Sequence, residues 1–145
     1  MSDDPHDLQR FVAAQEGVWE RALAELQAGA KRSHWMWFVF PQIEGLGFSA
    51  MTRRYAISGL EEARAYLAHP LLGPRLRACT AAMNRHEGKS ARAILGQPDD
   101  MKFRSSMTLF AAAHPESGFV EALQRYFGGE PDPVTLKRLG LENHR

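Results

Sequence analysis

Apolar residues Leu8, Phe11, Val12, Trp19, Leu23 and Leu26 recur at three- and four-residue intervals, the spacing of one helix face. They predict a first helix over 7–28, with Asp7 as its N-cap and Gly29 just beyond its end. The next stretch, Ser33-His-Trp-Met-Trp-Phe-Val-Phe-Pro41, is aromatic and β-branched enough for a buried strand. No other segment alternates with period two to pair with it, and a lone strand leaves its backbone groups unpaired. The preferred reading is a short buried helix started by Ser33 and stopped at Pro41, with a strand as the open alternative.

Residues 41–49 hold two glycines and a proline and read as an ordered loop. Ser49 then caps a short helix through Met51, Tyr55 and Ile57, and Ser58-Gly-Leu-Glu61 fits a capping box opening a helix with Leu60, Ala63 and Leu67. Leu72, Leu76, Cys79 and Met83 mark the buried face of a helix that has Pro74 in its first turn and ends at Gly88. Ser90 opens a short helix broken at Gly96-Gln-Pro98. Asp99 or Asp100 caps a longer one through Phe103, Met107 and Phe110, Ser117 caps another, and Asp132-Pro133 opens the last. The expectation is an all-α protein, one compact array of about eight short helices. With no repeat or linker, residues 1–145 form a single domain.

Composition narrows the class. With 44% apolar residues, 145 positions are enough to bury a core without staples. The single cysteine, Cys79, excludes a secreted disulfide scaffold, and His34, His69, His86 and His114 show no metal-ligand spacing, so no metal or cofactor is expected. The longest apolar run, Trp35 to Phe40, is too short to span a membrane, and the acidic start lacks a signal peptide, so a cytoplasmic location is expected. The net charge of +1 conceals a polarised layout: two basic against six acidic side chains in 1–30, twelve against six in 31–104, and four against five in 105–145. That central excess is too small for an unspecific DNA binder, and sequence-specific nucleic-acid binding is not expected. It suits a small anionic ligand where the side chains converge, and a solvated mixed-sign surface where they do not.

Candidate chemistry concentrates in Asp99–Phe110, where polar residues recur along a helix that should pack. Lys102, Ser105 and Ser106 share one face, Arg104 and Thr108 another. A lysine beside hydroxyls binds an oxyanion or, if burial lowers its pKa, activates a serine; the plainer reading has the hydroxyls bonding back to the carbonyls four residues earlier. His34, Trp37 and Gln42 border the glycine loop, which can close a cleft, and Arg53 or Arg54 follows it. The leading function is binding of a small anionic or nucleotide-like ligand by His34, Trp37, Gln42, Arg53, Lys102, Arg104, Ser105 and Ser106. The competing one is a non-enzymatic interaction or structural domain. Glu44 and Asp132 are the acids kept for general acid–base work.

The stretches His34-Trp-Met-Trp-Phe-Val-Phe-Pro-Gln-Ile43, Gly45-Leu-Gly47, Glu62 through Leu76, Lys102-Phe-Arg-Ser-Ser-Met-Thr-Leu-Phe110 and Asp132-Pro-Val-Thr-Leu136 resemble the bacterial family catalogued as domain of unknown function 1810. The resemblance covers nearly the whole chain and implies a small helical protein with no catalytic residue to carry over. Some relatives bear the label calpastatin, a disordered inhibitor, whereas this composition is globular. Glu62-Ala, His69-Pro, Gly73-x-Arg75 and Lys102-Phe103 are also similar to the NADAR family of N-glycosidases acting on ribosylated nucleotides or ADP-ribose adducts. That likeness implies a carboxylate near the oxocarbenium charge, for which Glu44 is the candidate.

Overall fold

The computed structural model describes residues 4–141. Among them run ten helices: α1 (Gln9–Gln15), α2 (Trp19–Ala28), α3 (Met36–Val39), α4 (Ala50–Arg54), α5 (Leu60–Ala68), α6 (Leu72–Asn84), α7 (Ala91–Leu95), α8 (Asp99–Ala113), α9 (Ser117–Phe127) and α10 (Pro133–Arg138). No strand forms among them, and one isolated parallel bridge joins Ile43 to Ile57. The all-α expectation holds, with helix rather than strand inside the aromatic stretch.

Differences from the sequence reading are local. The expected helix over 7–28 is two, because Glu16 leaves the helical region and Gly17 adopts φ +72°, a left-handed value that no continuous helix accommodates. The split is one reason the helices number more than the expected eight. Asp7 does not cap α1; the Asp4 carboxylate does, accepting from the Leu8 and Gln9 amides at 2.7 and 2.8 Å. Ser33 does not cap α3 but donates its hydroxyl to Glu25 at 2.6 Å. The expected capping box does not form: Gly59 is the N-cap of α5, and the Ser58 amide and hydroxyl both donate to Glu62, at 2.9 and 2.8 Å. Helix α6 stops at Asn84, short of Gly88, and Ile57 lies beyond α4 in the bridge. Ser49, Ser90 and Asp132 cap α4, α7 and α10 as expected.

Helix α8 is the centre of the array, packed against α5, α7, α9 and α10. Phe103 meets Phe40 edge-on at 4.9 Å, and Phe110 meets Tyr66 at 5.3 Å and Phe119 at 6.0 Å. Each fully buried ring contributes about 1.5–3 kcal/mol of apolar burial. Being enclosed on several sides, α8 buries Ser105, Ser106 and Thr108 as well as its rings, which is why its pattern lacks one clean apolar stripe.

The aromatic stretch hangs on Glu25 of α2. Its carboxylate accepts from Trp35 Nε1 at 2.8 Å, the Ser33 hydroxyl at 2.6 Å, and the Arg32 and Ser33 amides at 2.9 and 3.1 Å. Burial pushes this carboxyl up, but the hydrogen bonds together outweigh it and hold the pKa at about 2. Trp35 and Phe40 are thereby fixed in the core, and the loop after them starts from a defined position.

Candidate functional site

The loop between α3 and α4 is tied down at its base. Ile57 donates its amide to the Gln42 carbonyl at 2.8 Å, and Glu44 donates its own to the Ile57 carbonyl at 2.9 Å. Beyond that tie the chain turns at Gly45, φ +92°, where a Cβ would overlap the Arg138 guanidinium. Arg138 in turn donates Nε to the Glu44 carbonyl at 3.1 Å, joining the loop to α10. Only glycine meets both demands at position 45.

Opposite this loop stand the first turns of α8 and α10. Asp132 Oδ2 accepts from the Thr135 amide at 3.1 Å and hydroxyl at 2.5 Å, which is the α10 cap. Ser105 Oγ lies 3.1 Å from the same oxygen and 3.2 Å from the Met101 carbonyl, and its one proton serves them in turn. Thr108 donates to the Arg104 carbonyl and accepts from the Asp132 amide, both at 2.8 Å. The α8–α10 junction is therefore cross-linked by hydrogen bonds one turn below the surface.

Between loop and junction lies an open cleft of about 480 Å³. Gln42, Thr52, Lys102, Ser105 and Asp132 are its polar lining, Gly45 and Gly47 part of one wall, and Leu46, Pro98, Met101 and Val134 its apolar surface. Lys102 Nζ sits 5.6 Å from the Trp37 ring centre and 3.8 Å from Asp99 Oδ1, while Asp99 Oδ2 is taken by Lys31 at 2.9 Å. The second carboxylate oxygen being committed elsewhere, Lys102 is only partly neutralised. Large apolar side chains stand exposed in the elements that form the cleft: Phe48 at 82%, Val134 at 51% and Met101 at 47%.

Of the residues singled out from sequence, Gln42, Lys102 and Ser105 line this cleft, and Trp37 abuts it through Lys102. His34 and Arg53 are exposed and outside its lining. Arg54 is exposed too, with Nε donating to the Tyr55 hydroxyl at 3.2 Å. Arg104 spends its guanidinium on the Glu130 and Pro131 carbonyls, at 2.9 and 3.0 Å, bracing the turn before α10. Ser106 is fully buried and its hydroxyl has no partner among the described residues, whereas Ser105 and Thr108 bond back to the carbonyls four residues earlier as the plainer reading has it. Of the two acids kept, Asp132 is in the cleft; Glu44 is exposed and outside its lining, its backbone alone joining the loop hydrogen bonds. Sequence reasoning missed Arg138, Met101 and Val134. An exposed methionine in the first turn of a helix carries little signal, and the Arg138–Gly45 packing spans most of the chain.

No group of three or more His, Cys, Asp or Glu side chains able to hold a metal ion occurs among the described residues. Burial pushes the Cys79 thiol up to about 12, leaving no thiolate nucleophile. No hydrogen bond from Lys102 to a serine forms among the described residues, so the arrangement lacks an activated hydroxyl.

The family description "Protein of unknown function (DUF1810)" matches residues 5–139, which span the cleft and every helix that builds it. The chain belongs to this family. A solved DUF1810-like structure, the conserved hypothetical protein Rv1873 from Mycobacterium tuberculosis, is 54% identical, covers 94% of this chain and 99% of its own, and superposes with a TM-score of 0.93. At that identity the two share their fold in detail. No curated protein matches.

Proposed function

We propose that the protein binds a small anionic, nucleotide-like ligand in the cleft between the 41–49 loop and the α8–α10 junction. The observation that carries the reading is the convergence of Gln42 from the loop, Lys102 and Ser105 from α8 and Asp132 at the start of α10 on one concave surface with two glycines. Each part matches a part of such a ligand. Lys102 offers ammonium donors to a phosphate or carboxylate, and the glycine backbone permits close approach. Asp132 and Gln42 suit hydroxyl or amide groups, and Leu46, Met101 and Val134 give a planar ring an apolar seat. We place the protein in the cytoplasm; its lone cysteine is buried, and no helix among the described residues is long and apolar enough to cross a membrane.

A thermal-shift screen with nucleotides, ADP-ribose, sugar phosphates and inorganic phosphate tests this. A ligand at about 100 times its dissociation constant adds roughly 2.7 kcal/mol, a shift of several degrees at this size. At the same ligand concentration the shift should fall to about half or less in Lys102→Ala, and no shift from any of these anions rejects the reading. The prominence of Phe48 supports a second reading, a docking surface for another protein on the same rim. In that case Phe48→Ser removes binding while Lys102→Ala spares it.

A further inference from the structure

A second depression, of about 380 Å³, opens on another side of the array between α6 and the start of α9. Thr80 and Asn84 come from one face of α6, and Gly118 and Phe119 come from the first turn of α9. Two independent features mark it. Helix α9 is eleven residues long and its N-cap is Glu116, whose side chain makes no capping bond. That carboxylate is instead held by Arg77, Nε to Oε1 at 2.8 Å and Nη2 to Oε2 at 2.9 Å. The first-turn amides at the positive end of α9 thus receive no cap from the Glu116 side chain. The other feature is Asn84, which is 8% exposed. Its Nδ2 donates to the Gly118 carbonyl at 3.0 Å, which sets the orientation of the amide and leaves the buried Oδ1 with no donor among the described residues. A buried acceptor in this condition costs free energy until a donor reaches it.

The surrounding charges select the ligand. Glu116 and Glu121 line the depression, which disfavours a bare dianion such as phosphate. Arg77 is engaged by Glu116, whereas Arg85, also lining the depression, is exposed and forms no ion pair among the described residues. Site and helix end therefore call for one carboxylate together with an N–H donor. We infer that this depression binds a small zwitterion of the α-amino-acid class, its carboxylate on the α9 first-turn amides and Arg85, its ammonium donating to Asn84 Oδ1. Gly118 keeps the space clear: a Cβ there would meet only Thr80 Cγ2, at 3.9 Å. A methyl group at 118 narrows the site without straining the helix.

The test is a titration of the isotope-labelled full chain by NMR, with each proteinogenic amino acid, inorganic phosphate and the deaminated acid of the best binder. At least one amino acid should shift the Gly118 and Phe119 amides and the Asn84 side-chain amide together and saturably. Its deaminated acid should bind at least tenfold more weakly. Gly118→Ala should weaken binding by a similar factor with the melting temperature unchanged or raised. The proposal is overturned if no amino acid moves these signals, if phosphate or the deaminated acid reproduces them at equal affinity, or if Gly118→Ala binds as the parent does.

Discussion

The Ser33–Phe40 segment and the cleft that follows it both mix apolar and polar side chains, yet they end in opposite states. In the first, polar atoms are consumed internally: one carboxylate, Glu25, takes up four donors from Arg32, Ser33 and Trp35. In the second, the network stops one layer short of the surface, so that Lys102, Gln42 and Asp132 still line a cleft with exposed apolar side chains around it. The same contrast holds within α8. Arg104 gives its guanidinium to two carbonyls, whereas Lys102, two residues earlier, stays over Trp37 with a half-engaged carboxylate. Residue type does not separate structural from ligand-ready polarity; what separates them is whether the donors are already spent.

The sharpest way to break the contrast is to unseat its shared support. Phe103 is fully buried, touches Phe40 from the aromatic segment, and follows Lys102 directly. Phe103→Ala should cost about 3–5 kcal/mol in denaturant unfolding and loosen segment and cleft together. A loss below about 1 kcal/mol would mean that the two regions are not held through this ring. Next in size is Glu25→Gln, which leaves fewer acceptor sites for the same donors and should cost about 1–3 kcal/mol near neutral pH. Its pH dependence is the better readout. Because the folded pKa, about 2, lies below the ordinary 4.5, Glu25 contributes fully above pH 4.5 and loses that contribution as pH falls through 2. The variant should flatten the acid limb of the stability profile, and an unchanged limb would contradict the network.

Much of this was legible in the sequence. The Gly and Pro breaks and the Ser49, Ser90 and Asp132 caps predict most helices, because those signals act within four residues. The failures are nonlocal or compete locally. Gly17 interrupts an apolar period that runs unbroken across it, and Ser33 is a good cap whose hydroxyl a carboxylate eight residues away captures instead. For the site, Gln42, Lys102 and Ser105 were visible as polar residues in packed or turning segments. That Arg104 does not join them depends on a carbonyl 26 residues off, at Glu130, and no spacing rule reports that.

Two smaller perturbations sharpen the comparison from either side. Lys102→Ala removes a partly exposed ammonium whose only ion pair among the described residues is a long one to Asp99, so stability should change by no more than about 0.5 kcal/mol. Ligand affinity in the cleft should fall about tenfold or more, roughly 1.4 kcal/mol, read by calorimetry with the best anion from the screen. A stability loss equal to the binding loss would place Lys102 with the structural group instead.

Ser106→Ala probes the opposite case, a polar group that is neither spent nor offered. The hydroxyl is fully buried in the middle of α8 with no partner among the described residues, so the folded state bears its desolvation without return. Alanine removes that cost and is also the better helix former, by a few tenths of a kcal/mol. The variant should gain about 1 kcal/mol and melt a few degrees higher, with ligand affinity unchanged because Ser106 does not line the cleft. A destabilised Ser106→Ala would mean that the hydroxyl is satisfied by a buried water, and the polar interior of α8 would then match the Glu25 network rather than stand apart from it.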